Sequence, residues 1–438
     1  MNLHARSAQP HALDPDRAGS AGEPAVAAQP ADREPPQPSR RSARGLDWFV
    51  FFVADVQTGF GPFVSVYLTT QKWTQTDIGL VLSIGSIVGL LGQMPGGLIV
   101  DAARSERLVA GLALVAITAS ALAYALFPVF PVVFAAATLH AAASCVLGPC
   151  IAALSLGLVG YAGIGTRLGR NARFASIGNG VAAAAMGAIG FYWSAHAVFF
   201  VTAALLIPTL LALGRIRPQD INVQLAHGAE PAAPSQAPRS DFRILLRQRP
   251  LFILAGCIAL FHLANAAMLP LMGGVLTTRS STSTWATLLI AACIVVPQGI
   301  VALISPWVGR QAEVWGRRWF VLAAFAALVA RAILFATVTD PAVLVAVQFL
   351  DGITAACLGV MVPLMVADIS RGSGHFSFAQ GIVGTAVGIG ASISPTLAGY
   401  LSDQFGSHVA FYGLAGIAAF GLATVAAILP ETRPAEAP

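Results

Sequence analysis

Of 438 residues, 56% are hydrophobic and only 10% charged, and the mean hydropathy is +0.74. That balance excludes a water-soluble globular domain and predicts an all-α protein made mostly of membrane-spanning helices. The net charge of +5 excludes little by itself, but the arginines return at intervals between apolar runs and form no basic soluble face, so no nucleic-acid partner is expected.

Residues 1–45 are rich in Pro, Ala, Arg and Asp and hold no apolar run of the signal-peptide kind, so the expectation is a disordered cytoplasmic tail. A bilayer core takes about 20 apolar helical residues. Twelve such runs follow, at roughly 46–70, 78–100, 106–128, 131–156, 174–194, 196–213, 250–276, 285–307, 319–338, 342–366, 377–400 and 407–429. Asp77 and Thr284 stand where N-caps of spans 2 and 8 are expected. The predicted organisation is a six-helix bundle over 46–213, a proline- and arginine-rich linker over 214–249, a second bundle over 250–430 and a short tail over 431–438.

Arginines mark alternate loops: Arg104 and Arg107; Arg167, Arg170 and Arg173; Arg215 to Arg249; Arg310, Arg317 and Arg318; Arg371. By the positive-inside rule that side is cytoplasmic, with both termini on it, which predicts a multi-pass protein of the bacterial inner (plasma) membrane. The cysteines Cys145, Cys150, Cys257, Cys293 and Cys357 all lie inside apolar runs and read as small buried thiols. No metal-ligand spacing, nucleophile–base pattern or nucleotide-binding loop appears, so neither an enzyme nor a cofactor nor direct drive by ATP is expected.

The chain repeats itself at an offset of about 210. Phe51-Phe52-Val53-Ala54-Asp55 returns as Phe261-His262-Leu263-Ala264-Asn265, Thr69-Thr70 as Thr277-Thr278, and Gly97-x-x-x-Asp101 as Gly309-x-x-x-Glu313. Leu139-His140 with Leu147-Gly148 returns as Leu350-Asp351 with Leu358-Gly359. A membrane half duplicated in the same orientation is the architecture of alternating-access carriers.

The segment Gly309-Arg310-Gln311-Ala312-Glu313-Val314-Trp315-Gly316-Arg317-Arg318 resembles the loop signature of the major facilitator superfamily, Gly-x-x-x-acid-x-x-Gly-basic-basic. The first-half copy keeps Gly97 and Asp101 but has Arg104 where glycine is usual, followed by Ser105, Glu106 and Arg107. The resemblance covers about residues 46–430 and implies twelve helices in two six-helix halves. It also implies a cytoplasmic latch, in which Asp101 and Glu313 face a helix N-terminus and nearby arginines in one state and let go in the other.

The same resemblance places spans 1, 4, 7 and 10 around a central cavity. Asp55 and His140 each lie about 13 Å into their spans, near the midplane of a core about 30 Å thick. Their repeat-mates Asn265 and Asp351 lie on spans 7 and 10, so these four, with Gln57 and His262, are the expected lining for substrate or protons. Arg331, about 18 Å deep in span 9, matches the level of Asp351, about 15 Å deep from the other side, and predicts a buried ion pair. Span 5 lacks a Gly-Pro signature and span 4 lacks an arginine, which weighs against a drug–proton antiporter.

The sequence thus reads as a monomeric secondary transporter of a small organic solute in a lipid bilayer, proton-coupled, with export favoured. The alternatives are a proton-coupled uptake permease and, from a different class, a transporter-like solute sensor.

Overall fold

The computed structural model describes residues 38–58, 61–229, 242–272 and 283–434; the expected N-terminal tail lies outside them up to Gln37, and its last residues, from Arg40, are helical and open span 1, not disordered. Among the described residues nine helices are long and apolar enough to cross a bilayer, or ten when the bent second span is included. The longest is a tract of 63 residues, Phe130–Tyr192, about 95 Å long at 1.5 Å per residue. No bilayer core is that thick. Gly160 breaks it with φ 65° and ψ −177°, a left-handed conformation that a side chain disfavours, and spans 4 and 5 meet there. With that division, and with Arg40–Thr58 and Gly61–Thr70 taken together as span 1, the described residues account for the twelve expected spans.

The remaining spans are Gln75–Leu91 with Gln93–Ala102 (span 2), Glu106–Leu126 (span 3), and Ala195–Ala204 with Leu206–Arg215 (span 6). Arg249–Asn265, extended to Met272, is span 7, Ser283–Trp315 is span 8 and Arg318–Thr337 is span 9. Pro341–Val347 with Phe349–Ser370 forms span 10, followed by Phe376–Phe405 (span 11) and Ser407–Ile428 (span 12).

Three expectations need correction. Arg167, Arg170 and Arg173 do not lie in a loop: span 5 begins at Gly160, and all three are helical, with Arg167 buried. An arginine survives there because Asp47 of span 1 meets it. The segment 309–318 is helical except at Gly316 and Arg317; Gly316, at φ 87°, makes the turn between spans 8 and 9. Asp77 is not the cap of span 2. Thr74 is, accepting from the Asp77 backbone N–H at 3.1 Å while its hydroxyl donates to the Asp77 carboxylate at 2.7 Å, a reciprocal cap. The Thr284 side chain lies outside the described residues.

Two apolar cores form, one mostly from spans 1–6 and one mostly from spans 7–12. Between the halves span 5 packs on span 8 and span 2 on span 11. The repeat turns span 2 into span 8 and span 11 into span 5, so these two crossings are images of each other. Both are glycine crossings at the arginine-rich end: a Cβ on Gly97 would overlap the Ser377 carbonyl, and one on Gly309 the Gly165 carbonyl. Small residues here let the backbones touch.

Candidate functional site: a cavity between the halves and its seal

Span 2 bends by 51° at Gly92. Pro95 has no N–H to give the Leu91 carbonyl, and the helix breaks there. The bend sets Gln93 facing the other half, at the wall of a cavity of about 600 Å³ lined by spans 1, 2, 4, 5, 8, 10 and 11. Its polar lining is Gln93, Asn171, Ser176, Asn179, Gln298 and Gln380, and none of the described lining residues is ionisable. Asn171 belongs to the floor. Its Oδ1 accepts from Arg167 Nε at 2.8 Å and Nη2 at 2.6 Å, and its Nδ2 donates to Ser155 Oγ at 2.7 Å. Arg167 in turn pairs with Asp47 at 2.7 Å, and Arg170 with the other Asp47 oxygen at 2.5 Å.

Of the residues read from the sequence as cavity lining, Gln57, His140, His262, Asn265 and Asp351 are not among the described residues that line it. Gln57 and His140 face a separate pocket of about 400 Å³ inside the first half, which shares Gln93 with the central cavity; Gln57 Nε2 donates to the Ser144 carbonyl at 3.3 Å. Asp55 is on the span 1 helix, and its side chain is outside the described residues. His262 Nδ1 lies 3.0 Å from the Ile258 carbonyl of its own helix. Asn265 and Asp351 converge on Arg331: Nη1 donates to Asn265 Oδ1 at 2.7 Å and to Asp351 Oδ1, and the guanidinium lies 5.3 Å from the Phe335 ring centre. Arg331 is 1% exposed, so this three-helix knot of spans 7, 9 and 10 sits within the second half.

The signature residues gather at the arginine-rich end, below the cavity. Asp101 ends span 2 and accepts from the first N–H groups of span 11, Ser377 at 2.9 Å and Phe378 at 2.7 Å. A carboxylate satisfying free N–H groups at a positive helix end is a strong contact, and this one joins the two halves. Glu313 lies beside Gly165 of span 5 and accepts from Arg317 Nη2 at 3.0 Å. Arg317, 2% exposed, also donates to Asp368 at 3.0 Å and to the Ala312 carbonyl at 2.9 Å. The backbone N–H groups of Arg317 and Arg318 donate to Glu431, at 2.8 and 3.1 Å. Arg104 is exposed and Arg107 half-buried.

Sequence reading missed a second seal. After span 6 the chain turns back as a strap over 216–229. Asn222 N–H donates to the Gly157 carbonyl at 2.9 Å, and His227 Nε2 lies 3.1 Å from buried Glu106 of span 3. These contacts fix the strap to the first half. Toward the second half, Gly228 O accepts from Gly372 N–H at 2.7 Å and His227 O from Phe376 N–H at 3.1 Å. Contact with Glu106 raises the His227 pKa above the ordinary histidine value, against its partial burial.

The Major Facilitator Superfamily model matches residues 48–308 and again 267–438. Two curated proteins of Mycobacterium tuberculosis, from different strains and each named an uncharacterized MFS-type transporter, are 37% identical over 398 residues, 90% of this chain and 94% of each relative. A crystal structure titled as the transporter FucP of the same superfamily in the outward conformation aligns with TM-score 0.63 at 15% identity, over 87% of this chain and 97% of that one. With an all-helical fold, a duplicated half and these matches, the chain belongs to the major facilitator superfamily of membrane transporters.

Proposed function

We propose that this chain is a secondary active transporter that exports a small organic solute across a bacterial inner membrane, as a monomer, by rocker-switch alternating access coupled to protons. The arginine-rich face is assigned to the cytoplasm, with both termini and the 214–249 linker on it. The bundles 46–213 and 250–430 rock about the central cavity. One observation carries the reading: a 600 Å³ space between two repeat-related halves is sealed at its arginine-rich end by contacts that join one half to the other, the Asp101 cap on span 11 and the Gly165–Gly309 crossing. Such contacts must break for the cavity to open to that side, which makes the described arrangement the outward-facing one.

Proton coupling is assigned to span 1 and span 4. His140 shares a pocket with Gln93, and Gln93 also walls the central cavity, so a protonation change beside His140 reaches the solute site through one side chain. Asp55, on the same helix as Gln57, is the proposed carboxylate partner. Solute flux in proteoliposomes with an imposed pH gradient tests the proposal. Gradient-driven accumulation should occur, and Asp55→Asn should abolish it while leaving passive exchange. Wild-type pH dependence in Asp55→Asn removes the coupling role, and no flux of any solute in a diverse panel removes the transport reading.

A further inference from the structure

We propose that the central cavity selects an electrically neutral solute, one with an apolar body and a few hydroxyl or amide groups, and excludes anions and cations. The inference rests on the transport reading only for the cavity's role. Its basis is the chemistry of the walls. Gln93, Asn179, Gln298 and Gln380 project from spans 2, 5, 8 and 11, which the repeat exchanges in pairs, so amides face the space from both halves. A carboxamide offers both donors and acceptors and carries no charge. Around them the wall is aliphatic: Val50, Ile151, Val301 and Val383 are representative. A volume of about 600 Å³ suits a ligand of drug-like or monosaccharide size or somewhat larger.

Among the described side chains, the buried arginines and carboxylates nearest the space are paired with one another and are not part of its lining. Arg167 and Asp47 are 5% and 2% exposed and face each other beneath Asn171, whose Oδ1 accepts two N–H bonds from Arg167 and screens it from the cavity. Arg331 and Asp351 pair with each other in the second half. A charged solute would therefore meet no counter-charge among the described lining residues. An uncompensated charge near mid-bilayer is disfavoured by about 100-fold on insertion scales. A neutral solute loses only hydroxyl or amide hydration, which the amides replace.

The test uses the full chain in lipid nanodiscs and matched triplets of probes: methyl hexosides with the corresponding uronic acids and aminosugars, and benzyl alcohols and benzamides with benzoates and benzylamines. Binding is read by ligand-dependent thermal shift and titration. In any triplet that binds, the neutral member should bind about 100-fold tighter than either charged one. Gln298→Ala should weaken it about tenfold, the loss of one well-placed hydrogen bond. Gln298→Glu, nearly the same shape, should instead bring the amine member up toward the neutral one. A charged member that binds wild type as well as its neutral partner overturns the proposal, as does failure of every neutral member to bind. Flux in proteoliposomes separates this from the transport reading. A neutral binder that never crosses removes transport and keeps the neutral site, whereas a charged solute that crosses keeps transport and removes the neutral site.

Discussion

The arginine-rich ends of the two halves begin from one repeated pattern and are built differently. In the second half Arg317 is buried between Asp368, Glu313 and the Ala312 carbonyl, and Glu431 of the C-terminal segment closes over the backbone beside it. At the repeat offset of 212 that carries Gly97 to Gly309, the first half has Ser105 in place of Arg317; at the offset of 211 that carries Gly148 to Gly359, it has Gly157 in place of Asp368. The ion pair is absent, and the space it would fill is taken by the strap, with Ile221, Asn222 and Ala226 against Gly157. One half is closed around a buried arginine, with the start of its own C-terminal tail over it, the other by a segment that also hydrogen-bonds across to span 11. The difference makes the first half's end the more easily released one, since its strap is held there without a counterpart of the buried Arg317–Asp368 pair.

The largest effect that probes this contrast is expected at the deep pair of the second half. Arg331→Ala or Asp351→Ala strands a buried charge and should cost about 3–5 kcal/mol, seen as a sharp fall in monodisperse yield. Arg331→Met with Asp351→Leu should restore folding, and recovery of yield with loss of flux would assign the pair to function as well. Next come the matched positions. Arg317→Ala leaves Asp368 buried without its cation and should destabilise by about 3 kcal/mol, whereas Ser105→Ala removes only the cap on the Leu108 N–H and should cost about 1 kcal/mol. Equal thermal shifts for these two would dissolve the contrast.

Installing the second half's solution in the first is a sharper test. Ser105→Arg with Gly157→Asp should compete with the strap for its space, speeding amide exchange over 221–229 about tenfold while leaving 429–434 unchanged. The smallest effect is in pH. His227 has a raised pKa because of Glu106, so its contribution to holding the strap is complete below the free-histidine value near about 6.5 and fades as pH rises through the raised value. Strap protection, corrected for intrinsic exchange, should therefore decline with rising pH by no more than about 1 kcal/mol. Glu106→Gln should flatten that decline, and a decline that persists in Glu106→Gln would place the titration elsewhere.

Much of this was legible from the chain. The repeat, the twelve apolar runs and the segment 309–318 lead to the fold, because spacing of glycine and acid at fixed offsets survives where most other residues diverge. Helix-depth arithmetic brought Arg331 and Asp351 to one level, and their side chains are in contact. The cavity lining was not legible. Midplane charges drew attention to Asp55, His140 and Asp351, yet the described cavity wall carries amides, and Gln93, Asn179, Gln298 and Gln380 look unremarkable singly. They do not fall on repeat-related positions, so the repeat gave no signal for them. Arg167 suggested a loop because its partner, Asp47, is 120 residues away. The strap was hidden for the same reason: the sequence marks Ser105 as a departure, but nothing local says what fills the space.

The central claim, that the seal at the arginine-rich end opens as the opposite end closes, is tested most directly by paired spin-label distances in nanodiscs. One pair is Ala102 with Arg310 at the arginine-rich end, and the other is Trp193 with Gln404 at the far end, all exposed positions. Two populations are expected, in which a short distance at one end accompanies a long one at the other. Asp101→Ala, which removes the cap on span 11, should enlarge the population with the arginine-rich end apart. Distances that stay fixed at both ends, or that lengthen and shorten together, would contradict the account.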